Sequence, residues 1–125
     1  MATILIIEDS ATDTLVLRKM LERHGFDVVT ATHGQQGIDM ATEQSPDLIL
    51  MDIVMPGVNG FQATRQLQKQ EQTASIPVII ITTKDQETDR IWGLRQGARE
   101  FLVKPVSEKA LVDCVRSCLL SAETD

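Results

Sequence analysis

A doubly wound α/β sandwich, five parallel strands alternating with five helices, is the fold class the sequence predicts, and three observations carry it. Apolar runs of strand length recur at Thr3 to Ile7, Asp47 to Met51 and Ile76 to Ile81, with weaker runs at Asp27 to Ala31 and Glu100 to Val103. These runs do not alternate with polar residues, which is the pattern of strands buried on both faces beneath helices. Segments with helical periodicity separate them, so the order reads βαβαβαβαβα, and right-handed crossovers then put helices on both sides of the sheet.

Each element has its own signal. The first strand stops at Glu8-Asp9. Leu15, Leu17, Met20 and Leu21 mark the first helix, which begins near Thr12 and ends at His24-Gly25, a glycine just past the last turn being a common stop. Gly37 to Ala41 marks the second helix and Ser45-Pro46 closes it. Gly57 to Gly60 is the loop before the third helix, Phe61 to Leu67, and Ser75 to Pro77 turns the chain into the fourth strand. Ile91 to Leu94 and Leu111 to Leu119 mark the last two helices. No repeat, low-complexity tract or linker interrupts the series, so residues 1–125 read as a single domain with no effector domain.

Composition narrows the function. With 18 acidic against 12 basic residues the net charge is -6, which disfavours binding to phosphate backbones or anionic lipid. The N-terminus lacks a basic region and its apolar run is too short for a signal peptide or a membrane span, so a cytoplasmic protein is expected. Cys114 and Cys118, four apart with no further Cys or His nearby, read as two reduced residues on one helix face. Met51 and Met55 read as packing. His24 and His33 have no nearby Ser or Cys nucleophile to serve, so the sequence argues against a catalytic triad and surface positions are expected. Trp92 faces either the core or a partner; periodicity does not decide which.

In open α/β sheets ligands bind beyond the carboxyl ends of the strands, at the switch in strand order. The first strand delivers Glu8 and Asp9 there, the third Asp52, the fourth Thr82 and Thr83, and the fifth Lys104 before Pro105, while the second delivers only Ala31, Thr32 and His33. The strands with chemistry are neighbours in a flavodoxin-like order, 2-1-3-4-5. Three converging carboxylates repel one another and raise some of their pKa values unless a cation compensates. Hard oxygen ligands of this kind suit Mg²⁺. Alone, Glu8 and Asp9 read equally well as solvated acids capping the first helix, and Lys104-Pro105 alone is a weak signal. Together a hydroxyl, an ammonium, a divalent metal and a carboxylate nucleophile make up an acyl-phosphate site.

At these residues the chain resembles CheY-type response-regulator receiver domains over its whole length. The resemblance is carried by Ile-Ile-Glu-Asp-Ser (6 to 10), Leu-Met-Asp-Ile-Val-Met-Pro-Gly-Val-Asn-Gly (50 to 60), Ile-Thr-Thr (81 to 83) and Gly-Ala-Arg-Glu-Phe-Leu-Val-Lys-Pro (97 to 105), and the four together in order are highly specific. Residues 59–67 and 83–93 further resemble the small stand-alone regulators of type IV pilus chemosensory systems, which govern twitching motility.

Carried over residue by residue, the resemblance implies phosphorylation of Asp52 by a CheA-type histidine kinase. It implies Mg²⁺ held by Asp9, Asp52 and the Val54 backbone carbonyl, with Glu8 acting through a bound water. Thr82 would bond the phosphoryl group, Lys104 would form its ion pair, and Lys104-Pro105 would be a cis peptide. Thr82 and Phe101 would form the switch and act on a protein target at the face of helix 4, strand 5 and helix 5, which includes Arg90, in a monomer. Glu8 departs from the Asp common at its position, and Phe101 from the frequent Tyr. The residues two beyond Asp52 and Thr82, Val54 and Lys84, stand where an attacking water would pass, so they are expected to set the phosphoryl lifetime.

Three other readings compete. The protein is equally a phosphate sink that drains a shared kinase. A haloacid-dehalogenase-like phosphotransferase also uses a strand-end Asp with Mg²⁺, but it needs a second acid where Val54 stands. A flavodoxin would use Ser10, Thr12 and Thr14 around a flavin phosphate, yet Glu8 and Asp9 would repel that phosphate and a chain with no Tyr offers few ring platforms.

Overall fold

The computed structural model describes residues 2–124. Its elements are β1 (Thr3–Ile7), α1 (Ala11–Glu22), β2 (Asp27–Ala31), α2 (Gly34–Gln44), β3 (Leu48–Met51), α3 (Gly60–Lys69), β4 (Val78–Thr82), α4 (Glu87–Arg95), β5 (Glu100–Val103) and α5 (Glu108–Thr124). The strands form one parallel sheet in the order β2-β1-β3-β4-β5, as the loading of the strand ends predicts. β4 starts at Val78 rather than Ile76, because Pro77 has no N–H for a ladder, although its carbonyl still accepts from the Ile49 N–H at 3.0 Å. β3 likewise begins at Leu48, and Asp47 instead accepts from the Thr3 N–H through Oδ2 at 2.7 Å.

Alternation along the strands divides the core in two. Ile4, Ile6, Leu48, Leu50, Ile79 and Ile81 face Leu17 and Leu21 of α1 and Leu111, Val112 and Val115 of α5. Leu5, Ile7, Ile49, Met51 and Val78 face Ile38 and Ala41 of α2 and Ala63 and Leu67 of α3. A smaller cluster of Ile53, Ile80 and Ala98 with Phe61 and Phe101 continues this second face toward the sheet edge. Burying each Leu or Ile side chain of this kind stabilises the fold by about 1.5–3 kcal/mol, so the central strands anchor the loops at their ends.

Local chemistry sets the helix ends. α1 starts at Ala11, a residue before Thr12, because the Ser10 hydroxyl accepts the Asp13 N–H at 3.2 Å and caps it. Asn59 and Gln62 form a reciprocal capping box on α3. His33 is exposed and caps α2 by accepting the Gln36 N–H on Nδ1 at 3.2 Å. His24 is half-buried instead of free on the surface, its Nε2 lying 2.9 Å from Oε2 of Glu108. Met51 and Met55 are core residues, and both cysteines are free thiols on the inner side of α5. Trp92 points outward. Among the described residues no helix is long and apolar enough to cross a membrane.

Candidate functional site

The parallel ladder runs one residue past the strands at their carboxyl ends. The Glu8 N–H donates to the Ala31 carbonyl at 3.0 Å, the Asp52 N–H to Ile7 at 3.0 Å, and the Lys104 N–H to Thr82 at 2.8 Å. Backbone bonds to neighbouring strands therefore place three side chains in one crevice. Glu8 turns inward and is only 2% exposed, whereas Asp9, the next residue, is exposed. Glu8 is thus no solvated loop acid: its Oε2 accepts the Ser10 N–H at 3.0 Å.

Lys104 ties the crevice together. Its ammonium donates to Oε1 of Glu8, to Oδ2 of Asp13 at 2.8 Å and to Oδ2 of Asp52 at 3.1 Å. The second oxygen of Asp52, Oδ1, accepts the Val54 N–H at 3.1 Å. Thr82 is fully buried at the end of the neighbouring strand β4, its hydroxyl accepting the Lys84 N–H at 3.4 Å. Val54 and Lys84 are exposed, and the Lys104–Pro105 bond is cis. Phe101 is half-buried in the cluster of Ile53, Ile80 and Ala98.

Two residues that sequence reasoning did not single out shape the site. Asp13 reaches Lys104 from the first turn of α1. Gly60 opens α3 so close to the acidic loop that a Cβ there would lie 2.2 Å from the Asp52 carbonyl oxygen and 2.6 Å from Cα of Ile53. No side chain fits, so the glycine is what lets α3 start directly beneath Asp52. Its appearance within the Gly57 to Gly60 loop was the available signal.

The electrostatics follow from burial and from one cation shared among acids. Burial pushes the Glu8 carboxyl up to about 7, with Lys104 and the Ser10 N–H opposing and Asp52 adding to the rise. For Asp52 burial also acts upward, but the Val54 N–H, Glu8 and Lys104 outweigh it and hold the carboxyl below its ordinary value. Lys104 is pulled down by burial and raised further by Asp13, Glu8 and Asp52, so it stays charged. The deeper acid holds its proton more readily and the outer one is an anion, the state a nucleophilic carboxylate needs.

Glu8, Asp9 and Asp52 each offer a carboxylate oxygen, and these atoms lie within 4.8 Å of one another. A set of hard anionic oxygens fits a hard divalent cation such as Mg²⁺.

A five-stranded doubly wound sheet with this acid–lysine crevice at its switch point defines a phospho-signalling module, and the chain belongs to the response regulator receiver domain family, whose model matches residues 4–116. Within that family it is 56% identical over 119 residues to Protein PilH of Pseudomonas aeruginosa PAO1, a match covering 95% of this chain and 98% of PilH. Among solved structures it is similar to chemotaxis protein CheY4 of Vibrio cholerae, with a TM-score of 0.88 and 27% identity over 94% of this chain and 98% of that one. It is also similar to the receiver domain of a sensor histidine kinase from Pseudomonas aeruginosa PAO1, which carries a magnesium ion in its active-site cleft; the TM-score is 0.88 at 30% identity, over 94% of this chain and 97% of that one. Receiver domains are signalling proteins that interact with histidine kinases and downstream targets and bind Mg²⁺ at an acidic pocket.

Proposed function

We propose that the chain works as a stand-alone, monomeric cytoplasmic receiver: it takes a phosphoryl group from a CheA-type histidine kinase onto Asp52 and thereby changes its protein partner, in the control of type IV pilus twitching motility. The observation that carries this reading is the convergence of Lys104 on Asp52 within the acid cluster. The pathway rests on the 56% identity to PilH over 95% of this chain.

In this reading an Asp52 oxygen attacks phosphorus as the P–N bond to the kinase histidine breaks, and the imidazole nitrogen leaves with the electron pair of that bond. The Val54 N–H and Lys104 fix the carboxylate for attack, since one holds Oδ1 and the other faces Oδ2. Asp9, Asp52 and the Val54 carbonyl would hold Mg²⁺, with Glu8 acting through water. When bound, that ion supplies positive charge to the phosphoryl oxygens. Thr82 and Lys104 then stabilise the acyl phosphate, the hydroxyl by donating and the ammonium by pairing, and the protein promotes both its own phosphorylation and its own dephosphorylation. The output surface combines α4, β5 and α5, where Ile91, Trp92 and Val103 are exposed beside Arg90.

Labelling by acetyl phosphate or a phosphorylated kinase tests this. Wild type should take label in Mg²⁺ and Asp52→Asn should take none while keeping its circular dichroism spectrum; base-labile label on the variant would place the acceptor elsewhere. Running the transfer with a second regulator present separates an output protein from a sink, because a sink drains label from its competitor.

A further inference from the structure

An ammonium has three N–H donors, and those of Lys104 go to three carboxylates, on Glu8, Asp13 and Asp52. A phosphoryl oxygen can join only by displacing one of them. Asp52 stops being a free carboxylate when it takes the anion and gives up its own donor. Glu8 is 2% exposed, so releasing it strands a buried carboxylate. The Asp13 side chain, 43% exposed, returns to water at little cost and is the partner the ammonium leaves as it follows the anion. Asp13 also lies outside the group of acids whose oxygens converge within 4.8 Å.

We propose that Asp13 is a positioning residue for Lys104: an exchangeable counter-ion that draws the ammonium toward α1, away from an incoming cation, and yields it when an anion arrives on Asp52. The proposal rests on the receiver reading of the crevice and adds to it a residue whose contact with the site crosses 91 positions of chain. Two consequences of opposite sign follow. Without the Asp13 charge Lys104 has only the two buried acids, where it competes with Mg²⁺, so cation affinity falls. An arriving anion no longer has to win Lys104 from a third partner, so anion affinity rises.

Two simpler roles make different predictions. Asp13 sits in the first turn of α1, where negative charge stabilises a helix; that role alters stability and leaves ligand affinity alone. A bare charge near the crevice would attract cations and repel anions whether or not Lys104 is present.

The test is a double-mutant cycle on the full chain, read as Mg²⁺ affinity by calorimetry and beryllofluoride affinity by fluorine NMR in Mg²⁺. Asp13→Asn should weaken Mg²⁺ and tighten beryllofluoride by about two- to fivefold each, the scale of one part-exposed ion pair. In a Lys104→Met background both effects should vanish, and Asp13→Glu should restore wild-type values with Lys104 present. If Lys104→Met does not fold, Lys104→Gln takes its place. Equal effects in both backgrounds, or none in either, overturn the proposal. Failure of wild type to bind Mg²⁺ at all would overturn the reading of the crevice as a receiver site and the proposal with it.

Discussion

Lys104 meets Asp52 at 3.1 Å between Nζ and Oδ2, although 52 residues separate them along the chain. The pair sits in an acid-rich crevice, where Asp52 adds to the rise of the buried Glu8 carboxyl. One ammonium therefore serves more negative charge than it can neutralise.

Asp52→Asn removes a carboxylate that its surroundings favour as an anion. Burial acts against it, but the Val54 N–H, Glu8 and Lys104 hold it below its ordinary value, so it stabilises the fold above its unfolded pKa and loses that contribution as pH falls. In Mg²⁺-free buffer the variant should therefore unfold at lower urea than wild type near neutral pH, with the two midpoints converging in acid. A variant at least as stable as wild type near neutral pH would mean that relief of the repulsion with Glu8 outweighs the lost contacts of Asp52.

Thr82 and Phe101 share a face of the sheet, because Phe101 pairs in register with Ile80 and Val103 with Thr82. α4 covers this face through Gly93, where a Cβ would lie 2.8 Å from Cδ1 of Ile80 and 3.2 Å from Cδ2 of Phe101. In the switch we propose, movement of the Thr82 hydroxyl toward a phosphoryl group would free volume for the Phe101 ring, with Gly93 leaving the clearance for it. Beryllofluoride should accordingly shift the emission of Trp92, next to Gly93 on α4. Thr82→Ala should abolish that shift, and Gly93→Ala should reduce it with less than about 1 kcal/mol change in stability, since the gain in helix propensity offsets the crowding. An undiminished shift in both variants would disconnect these residues from the switch.

Glu108, the first residue of α5, binds the end of α1: Oε1 accepts from Nε of Arg23 at 3.1 Å and Oε2 lies 2.9 Å from Nε2 of His24. Arg23 first, and His24 after it, hold the Glu108 carboxyl below its ordinary 4.5. A depressed acid stabilises the fold above its unfolded pKa and loses that contribution as pH falls through the folded one. Glu108→Gln should therefore unfold at lower urea than wild type near neutral pH, and the two midpoints should converge as pH drops below 4.5. A gap independent of pH would assign the effect to packing instead.

The sequence makes the sheet legible because each buried strand writes an unbroken apolar run, and makes Glu8, Asp9, Asp52, Thr82 and Lys104 legible because they follow those runs directly. Asp13 and Gly60 are not legible in the same way. Asp13 matters only because the phase of α1 aims it at a lysine far along the chain, and Gly60 only because α3 starts against the Asp52 backbone. Trp92 defeated periodicity for a local reason: α4 turns a glycine inward at position 93 and leaves Ile91 and Trp92 exposed, so its buried stripe carries little apolar contrast.

The mouth of the site sets the last prediction. In the proposed reading, hydrolysis of an acyl phosphate on Asp52 needs a water in line with the phosphorus–oxygen bond, and we propose that its path passes Val54 and Lys84, the residues two beyond Asp52 and Thr82. Val54 presents an exposed apolar side chain, which offers the water no hydrogen bond, while its own N–H is committed to Oδ1 of Asp52. The Lys84 N–H is tied to the Thr82 hydroxyl, and Lys84 is exposed, with a side chain long enough to screen a neighbouring opening. Wild type should then lose its phosphoryl group slowly. Val54→Asn with Lys84→Glu supplies an amide and a carboxylate that can orient the water, and should speed decay about tenfold, which requires only about 1.4 kcal/mol of barrier. Label loss from the purified phosphoproteins measures it, with Val54→Asn and Lys84→Glu singly to apportion the effect. Decay in the double variant as slow as in wild type would mean that water access at these two positions does not set the lifetime.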